Sequence, residues 1–507
     1  MSIGIWHVIG IALVLLFIAG VSLYSGKMVK NAADFTTGGG KTSRWMVCGT
    51  IMGSLVGGQS TIGTAQLAFH FGMSAWWFTL GSGFGCLILA LVYVRPLRHS
   101  GNTTLLQTIS NEYGSNAGYL GSMFSSFSIF LSVLAQVISS IALISVVSPV
   151  NMVVAALFSM ALMALFVIFG GVWGAGMSGI VKLVLLSIAS VTGCIVAITL
   201  SGGFSGLGGS LHALMDSSSL GNVQGLASAA DVSGRFYSMF ARGVSKGVGS
   251  GLSLLLGVLS TQIYAQGVMS ARSDAEGKKG ALLASFLIPV IGGSCVFIGM
   301  FMRNHYITTA ELAALTSAGQ AVPAGLKELA TTAQVFPIFV VEHLPPLFSG
   351  VVLGTLFITI LSGGSGLSLG AATILVNDVF KRLTKKLDDP VRSLLATRIT
   401  IFGVLAVATA VALGVPGTVI NDIGFLSMGL RGSVIFFPLS FALFMPGRLY
   451  RRFVIAAEIG GPIGVLVGNF LSLGIDPLFV GMAVSFALCA MGIAAGRKPS
   501  APDSIPV

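Results

Sequence analysis

Charge is scarce in this 507-residue chain: Asp, Glu, Lys and Arg make up 8% of it, against 54% apolar residues. With a mean hydropathy of +0.94, that is the composition of a polytopic membrane protein. Acid is scarcer than base, 16 residues against 27, for a net charge of +11. The excess base clusters in short loops between apolar runs, so it marks membrane orientation and does not call for a nucleic-acid partner. Cysteines are few, and all five (Cys48, Cys86, Cys194, Cys295, Cys489) fall inside apolar runs, where they read as small core hydrophobes and not as a disulfide framework. No Walker loop, no His-Glu-x-x-His and no Cys-x-x-Cys occurs, which leaves a primary pump or a metalloenzyme unsupported and no cofactor expected. No small-residue cleavage site follows the first apolar run, so it is expected to be a retained helix and not a signal peptide.

Long apolar runs are what the chain has. Thirteen reach about 20 residues. Their limits are 5–28, 45–70, 74–95, 116–148, 150–169, 172–200, 247–269, 280–302, 346–380, 393–414, 419–444, 453–474 and 476–496. Twenty of the 27 basic residues fall in loops on one side, which predicts the N-terminus outside and the C-terminus in the cytoplasm. The spans between 45 and 444 divide into two sets of five. Five is odd, so the second set enters upside down, the inverted-repeat arrangement. The expected division is an extra helix and linker (1–44), a first repeat (45–200), an outer loop (201–246), a second repeat (247–444), and two final helices with a short tail (445–507). A Gly/Ser-rich run at 247–251 is expected to interrupt the helix that opens the second repeat.

Residues 45–71, WMVCGTIMGSLVGGQSTIGTAQLAFHF, begin and end as an apolar helix, but glycine and hydroxyls fill the middle. Hydrocarbon tolerates an interrupted helix only where it lines a protein-enclosed cavity. Such breaks hold substrate and coupling ion in many secondary transporters. The alternative is a packing face made by Gly53 and Gly57. In span 346–380, Thr359, Ser362 and Ser365 recur on roughly one helical face. With carbonyls of the break at Gly53 and Val56 they offer oxygen ligands to a small cation. The alternative is that these hydroxyls bond carbonyls of their own helix.

Two cations sit at membrane depth. Lys182 is about ten residues into its span, roughly 15 Å, and Arg431 about twelve residues into its own. A charge at that depth costs at least about 2.5 kcal/mol, which makes each a functional candidate. No Asp or Glu lies near the centre of a core span; Asp378, Asp422 and Glu458 lie near span ends. Arg431 could alternatively bond helix-end carbonyls at a break.

The order DFTTGGG (34–40), then GSLVGGQSTIGTAQLAF, QGVMSARSDAEGKKG (266–280), VFPIFVVEHLPPLFSGVVLGTLFITILSGGSG (335–366) and ILVNDVFKR (374–382) resembles the sodium:solute symporter family, to which the bacterial proline and galactose symporters belong. The likeness runs over nearly the whole chain. It implies the leucine-transporter-like inverted-repeat fold and a sodium site made by the carbonyls of Gly53, Val56 and Thr359 and the hydroxyl of Ser362. A second hydroxyl is expected at 363, where this chain has Gly363. An Asp common in the family's fifth core helix corresponds to Gly179, one turn from Lys182. Some amino-acid transporters of another family with this fold place a lysine ammonium in the sodium site. By resemblance, Gln59, Ser60 and Gln262 correspond to sugar-contacting positions and Arg431 lines the same cavity; Gly57, at the expected substrate site, and Gly58 are expected to permit a backbone approach that a side chain would block.

The chain is therefore expected to be an all-α membrane protein that imports a small polar solute by alternating access, and not an enzyme. Arg431 and Lys182, without acidic neighbours, favour a carboxylate-bearing or zwitterionic solute. Gly363 and Lys182 favour proton-linked or sodium-independent transport over sodium coupling. A transporter-like membrane sensor is the alternative. The bilayer, here the bacterial inner (plasma) membrane, and the solute are the expected partners; no nucleic acid and no obligate oligomer are expected.

Overall fold

A computed structural model describes residues 3–26, 40–102, 104–148, 150–166, 172–216, 220–223, 229–381, 384, 387, 389–415, 417–471 and 473–496. Most of the DFTTGGG motif, the basic residues Lys27 and Lys30, and the tail from Arg497 lie outside them. The protein is all-α apart from one short parallel pair, Tyr306–Thr308 beside Lys327–Leu329.

The helices that build the membrane body are α1 (Ile5–Gly26), α2 (Arg44–Leu55), α3 (Thr64–Phe71), α4 (Trp77–Ile88) and α5 (Ser115–Val147). They continue with α6 (Met152–Phe166), α7 (Val172–Leu200), α8 (Val244–Leu259), α9 (Gln262–Met269) and α10 (Asp274–Arg303). The last five are α11 (Pro346–Ile374), α12 (Pro390–Gly414), α13 (Ile420–Phe444), α14 (Arg451–Leu471) and α15 (Pro477–Ala494). Every expected span has a counterpart, with α2/α3 and α8/α9 each forming one broken span. Among the described residues nine helices are long and apolar enough to cross a membrane, ten if α8 and α9 count as one span bent by 49°. α1 and α6 are shorter apolar helices.

The break between α2 and α3 is where the glycines and hydroxyls predicted it. Val56 leaves the helix with ψ 93°, and a wide turn over Gln59–Gly63 leads into α3. The second break falls elsewhere than expected. Residues 247–251 lie inside the continuous α8, and the chain bends at Ser260 and Thr261, the latter extended at φ −105°, ψ 121°. The glycines at 249 and 251 serve packing instead: a Cβ on Gly81 of α4 would meet Gly251 O at 2.2 Å. Small residues let membrane helices approach in this way, so a Gly/Ser run alone does not say whether a helix breaks or packs.

The segment before α2 and the one after α9 are tied together: Thr42 N donates to Ser270 O (3.1 Å) and Arg272 N to Thr42 O (3.0 Å). Arg98, just beyond α4, pairs with Asp274 at the start of α10. α1 lies along α11, where a Cβ on Gly350 would meet His7 O at 2.2 Å. The segment expected as an outer loop (201–246) and the one between α10 and α11 carry short helices, Gly203–Asp216 and Ala229–Phe236 in the first, Thr309–Ser317 and Val335–His343 in the second. Thr308 and Glu311 start the third of these with a reciprocal capping box.

Candidate functional site

Polar groups freed by the α2/α3 break are largely used within it. Ser60 Oγ donates to Leu55 O (2.9 Å) and Thr61 Oγ1 to Gly57 O (3.0 Å). Gly58 N leaves the local chain altogether and donates to Gln136 Oε1 of α5 (3.2 Å). The Gln136 amide fills the space beside Gly57, where a Cβ would stand 2.8 Å from Nε2, and reaches Gly363 of α11, where a Cβ would stand 3.5 Å away. Gln136 thus wedges the break against α11. Sequence reasoning passed over it. The signal was present: Ser125, Ser128, Ser132, Gln136, Ser139 and Ser140 repeat at helical spacing, a buried polar stripe along an otherwise apolar helix. Gln59 is 5% exposed with its Nε2 unpaired, and Asn421 of α13 is buried with its Oδ1 unpaired. Both face the layer around Gly424 and Gly63, since a Cβ on Gly424 would lie 2.9 Å from Gln59 Nε2 and one on Gly63 2.3 Å from Asn421 Oδ1.

The expected cation ligands do not gather as one hydroxyl face. Thr359 Oγ1 donates to Thr355 O (2.6 Å), and Ser365 Oγ turns to Met163 O of α6 (2.6 Å). Ser362 Oγ donates to Thr359 O of its own helix (3.2 Å) and accepts a hydrogen bond from Lys182 Nζ. Lys182 is 4% exposed. One turn before it, Gly179 lies so close to α2 that a Cβ would meet Gly49 O at 2.0 Å. Gly53 stands one turn beyond Gly49, so the lysine reaches α11 at the level where the α2 helix is about to break.

Arg431 and Gln262 line a different space from Gln59 and Ser60. A cavity of about 170 Å³ lies between the start of helix Leu105–Tyr113, the α8/α9 break, the end of α11 and α13, with both residues in its wall. Arg431 is seven residues beyond Gly424 on α13, about 10 Å along the axis from the Gln59 layer. Its nitrogens meet hydroxyls from three elements: Nη2 donates to Ser132 Oγ (2.6 Å) and Ser427 Oγ (2.8 Å), and Nη1 to Thr261 Oγ1 (3.0 Å). A weaker bond runs from Nε to Ser427 O at 3.4 Å. Gln262 Oε1 accepts from Leu105 N (2.8 Å) and so ties helix Leu105–Tyr113 to α9. The residues expected at one substrate site therefore form two layers, with the Ser132–Ser427 contact (2.7 Å) between α5 and α13 beside Arg431.

Toward the opposite end, polar contacts tie α3 to α13 and its flanks. The buried Gln66 amide donates to Thr332 Oγ1 (3.1 Å) and Thr418 O (3.2 Å) and accepts from Ile420 N (2.9 Å). Arg242 pairs with Asp422, and the Phe78 ring lies tilted against that of Phe425 with centroids 5.5 Å apart.

The sodium:solute symporter family model matches residues 35–453. The chain belongs to that family. No curated protein sequence matches closely enough to add to this assignment. Among solved structures, the chain is similar to a Na+-coupled sialic acid symporter in a substrate-bound outward-open state, with a TM-score of 0.72 at 17% identity over 99% of this chain and 100% of that one. It is also similar to Mhp1, a nucleobase-cation-symport-1 family transporter in a closed conformation, with a TM-score of 0.53 at 10% identity over 92% and 95% of the two chains. The fold is thus the leucine-transporter-like inverted-repeat fold, and the protein is a multi-pass membrane solute symporter. Positions 179 and 363 are glycines, and Lys182 donates to Ser362.

Proposed function

We propose that the protein imports a small carboxylate-bearing or zwitterionic solute by alternating access, with Lys182 in place of a sodium ion as the coupling group. The bond from Lys182 Nζ to Ser362 Oγ carries the coupling half of this reading. An ammonium on that hydroxyl occupies the position a cation would take. Two unit charges about 4 Å apart repel by roughly 4 kcal/mol at an effective dielectric near 20. Such a repulsion weakens sodium binding on the order of a thousandfold. Gly179 supplies no carboxylate to offset it, and the close approach of α7 to Gly49 O leaves no room for one. A lysine can lose its proton where an arginine does not, so Lys182 can change charge as the site opens to each side in turn.

The solute half rests on the Arg431 cavity. Its described lining includes hydroxyls, Gln262 and apolar side chains, and Arg431 is its charged residue. The partners of Arg431 are neutral hydroxyls, so its charge is uncompensated and available to an anionic group. With the N-terminus outside, the cavity faces the cytoplasm and the Gln66 and Arg242–Asp422 contacts close the outer side.

Uptake into proteoliposomes under imposed gradients tests the coupling. A proton gradient alone drives accumulation, sodium has no effect, and Lys182→Ala loses the drive while remaining folded. Accumulation that requires sodium and survives Lys182→Ala would restore sodium coupling.

A further inference from the structure

Behind the cavity wall stands an ionisable side chain that the scheme above leaves unused. Glu458 of α14 is fully buried, and neither of its carboxyl oxygens has a hydrogen-bond partner. Its position relative to the solute cavity follows from Gly121 of α5. A Cβ built there would lie 3.0 Å from Leu106 Cδ2 and 3.1 Å from Glu458 Oε1. Leu106 is part of the cavity lining. The carboxyl is therefore held against the outer side of the wall that helix Leu105–Tyr113 provides, at the end of the molecule where the cavity lies.

No neighbouring element supplies a counter-charge. Helix Leu105–Tyr113 brings the Tyr113 phenol, whose own buried oxygen is unpartnered, and Glu112, which accepts from Gly447 N. α15 brings the Cys489 thiol. The titratable residue of α5 is Tyr119, two positions from Gly121, and those of α13 are Asp422, paired with Arg242, and Arg431, bound to its hydroxyls. On α14 itself, the Arg451 guanidinium lies against Gly114, at 2.8 Å from where its Cβ would be. Among the described residues Glu458 forms no ion pair.

We propose that Glu458 is a second proton-binding site, filled in this conformation and emptied when the Leu105–Tyr113 wall moves. An ionised carboxylate held out of water with neither donor nor cation is strongly disfavoured, and the neutral acid far less so. Movement of the wall away from α5 opens a route for water to the carboxyl. The proton then passes to water, the carboxylate is solvated, and the wall cannot return until a proton is taken up again. Proton occupancy and closure of the inner wall are thus linked, and the linkage is reciprocal. It rests on the cavity and its wall and not on Lys182, so it stands or falls separately from the coupling reading.

The test reads protonation directly. Dicyclohexylcarbodiimide modifies protonated carboxyls in apolar surroundings, and peptide mass spectrometry locates the product. In the purified full-length protein Glu458 should be modified at neutral pH, less so as pH rises. A second arm places a reporter cysteine at Thr373 in the cavity lining and follows its labelling by a water-soluble maleimide, normalised to an exposed cysteine. Labelling should change with pH in the Glu458 background and in Glu458→Asp, and lose that pH response in Glu458→Gln, which is isosteric with the neutral acid. Failure of the reagent to modify Glu458 in the folded protein at neutral pH, or an unchanged pH response in Glu458→Gln, overturns the proposal. Neither result depends on which ion drives uptake.

Discussion

Lys182 and Arg431 are buried at similar depth and both bond to hydroxyls, yet their chemistry separates their roles. Arg431 is anchored from Ser132, Ser427 and Thr261, and its guanidinium keeps its charge. Lys182 has Ser362 as its hydrogen-bond partner and can release its proton. Replacing Arg431 by Gln should weaken carboxylate binding by roughly 10- to 100-fold, the range expected on losing a charge-assisted pair. Arg431→Lys should not recover it, because a point charge cannot reproduce a planar fork. Isothermal titration of the folded variants checks this, and wild-type carboxylate affinity in Arg431→Gln would remove Arg431 from the site. Gly179 makes the matching point for Lys182. Restoring a carboxylate by Gly179→Asp places a Cβ 2.0 Å from Gly49 O, so α7 and α2 must separate. The expected cost is about 1–3 kcal/mol, read as a lower melting temperature in detergent.

At the scale of elements, the α2/α3 break is held by a partner on another helix. Gly57 and Gly58 look equivalent in the sequence, but Gly57 faces the movable amide end of Gln136 while Gly58 faces Ser139 Cβ at 2.4 Å. Gly58→Ala should therefore impair uptake far more than Gly57→Ala, with both variants inserted normally in the membrane. A larger side chain cannot be accommodated at either position, so Gly57→Leu should abolish uptake. Equal tolerance of alanine at the two positions, measured as initial uptake rates, would show that the break does not depend on this contact. Gln136→Leu leaves Gly58 N without its acceptor and should lower uptake without preventing insertion.

At the scale of the molecule, the tied end and the cavity at the other end fit one state of the proposed alternating cycle. This end is held by polar contacts of α3 and α13 with the segments beside them, the Gln66 amide and the Arg242–Asp422 pair, and by the Phe78–Phe425 ring contact between α4 and α13. Removing the pair by Arg242→Ala should shift the population toward opening at that end. A cysteine replacing Gln59 in the break layer should then react faster with a membrane-impermeant thiol reagent added outside. Unchanged labelling would mean that Gln66 and the aromatic contact hold the closure without the ion pair.

The order of spans was legible in the sequence because hydrocarbon imposes length and apolarity on each helix separately, a local constraint that needs no tertiary information. The α2/α3 break was legible for the same reason, since no lipid-facing helix accommodates that cluster of glycines and hydroxyls. The second break was not: Gly249 makes room for Asp476 and Gly251 packs against α4, and whether a small residue loosens a helix or lets a neighbour in depends on what lies beside it. Lys182 and Arg431 stood out from burial cost alone, the first expected at the cation site and the second in the substrate cavity. Only the assembled helices put Lys182 on Ser362 and Arg431 among the hydroxyls of α5, α13 and the α8/α9 break, about 10 Å from the Gln59 layer. Spacing on one helix tells which side chains share a face. Which face meets which neighbour is decided by packing between helices remote in sequence, and so are the two layers of the site and the burial of Glu458 behind its wall.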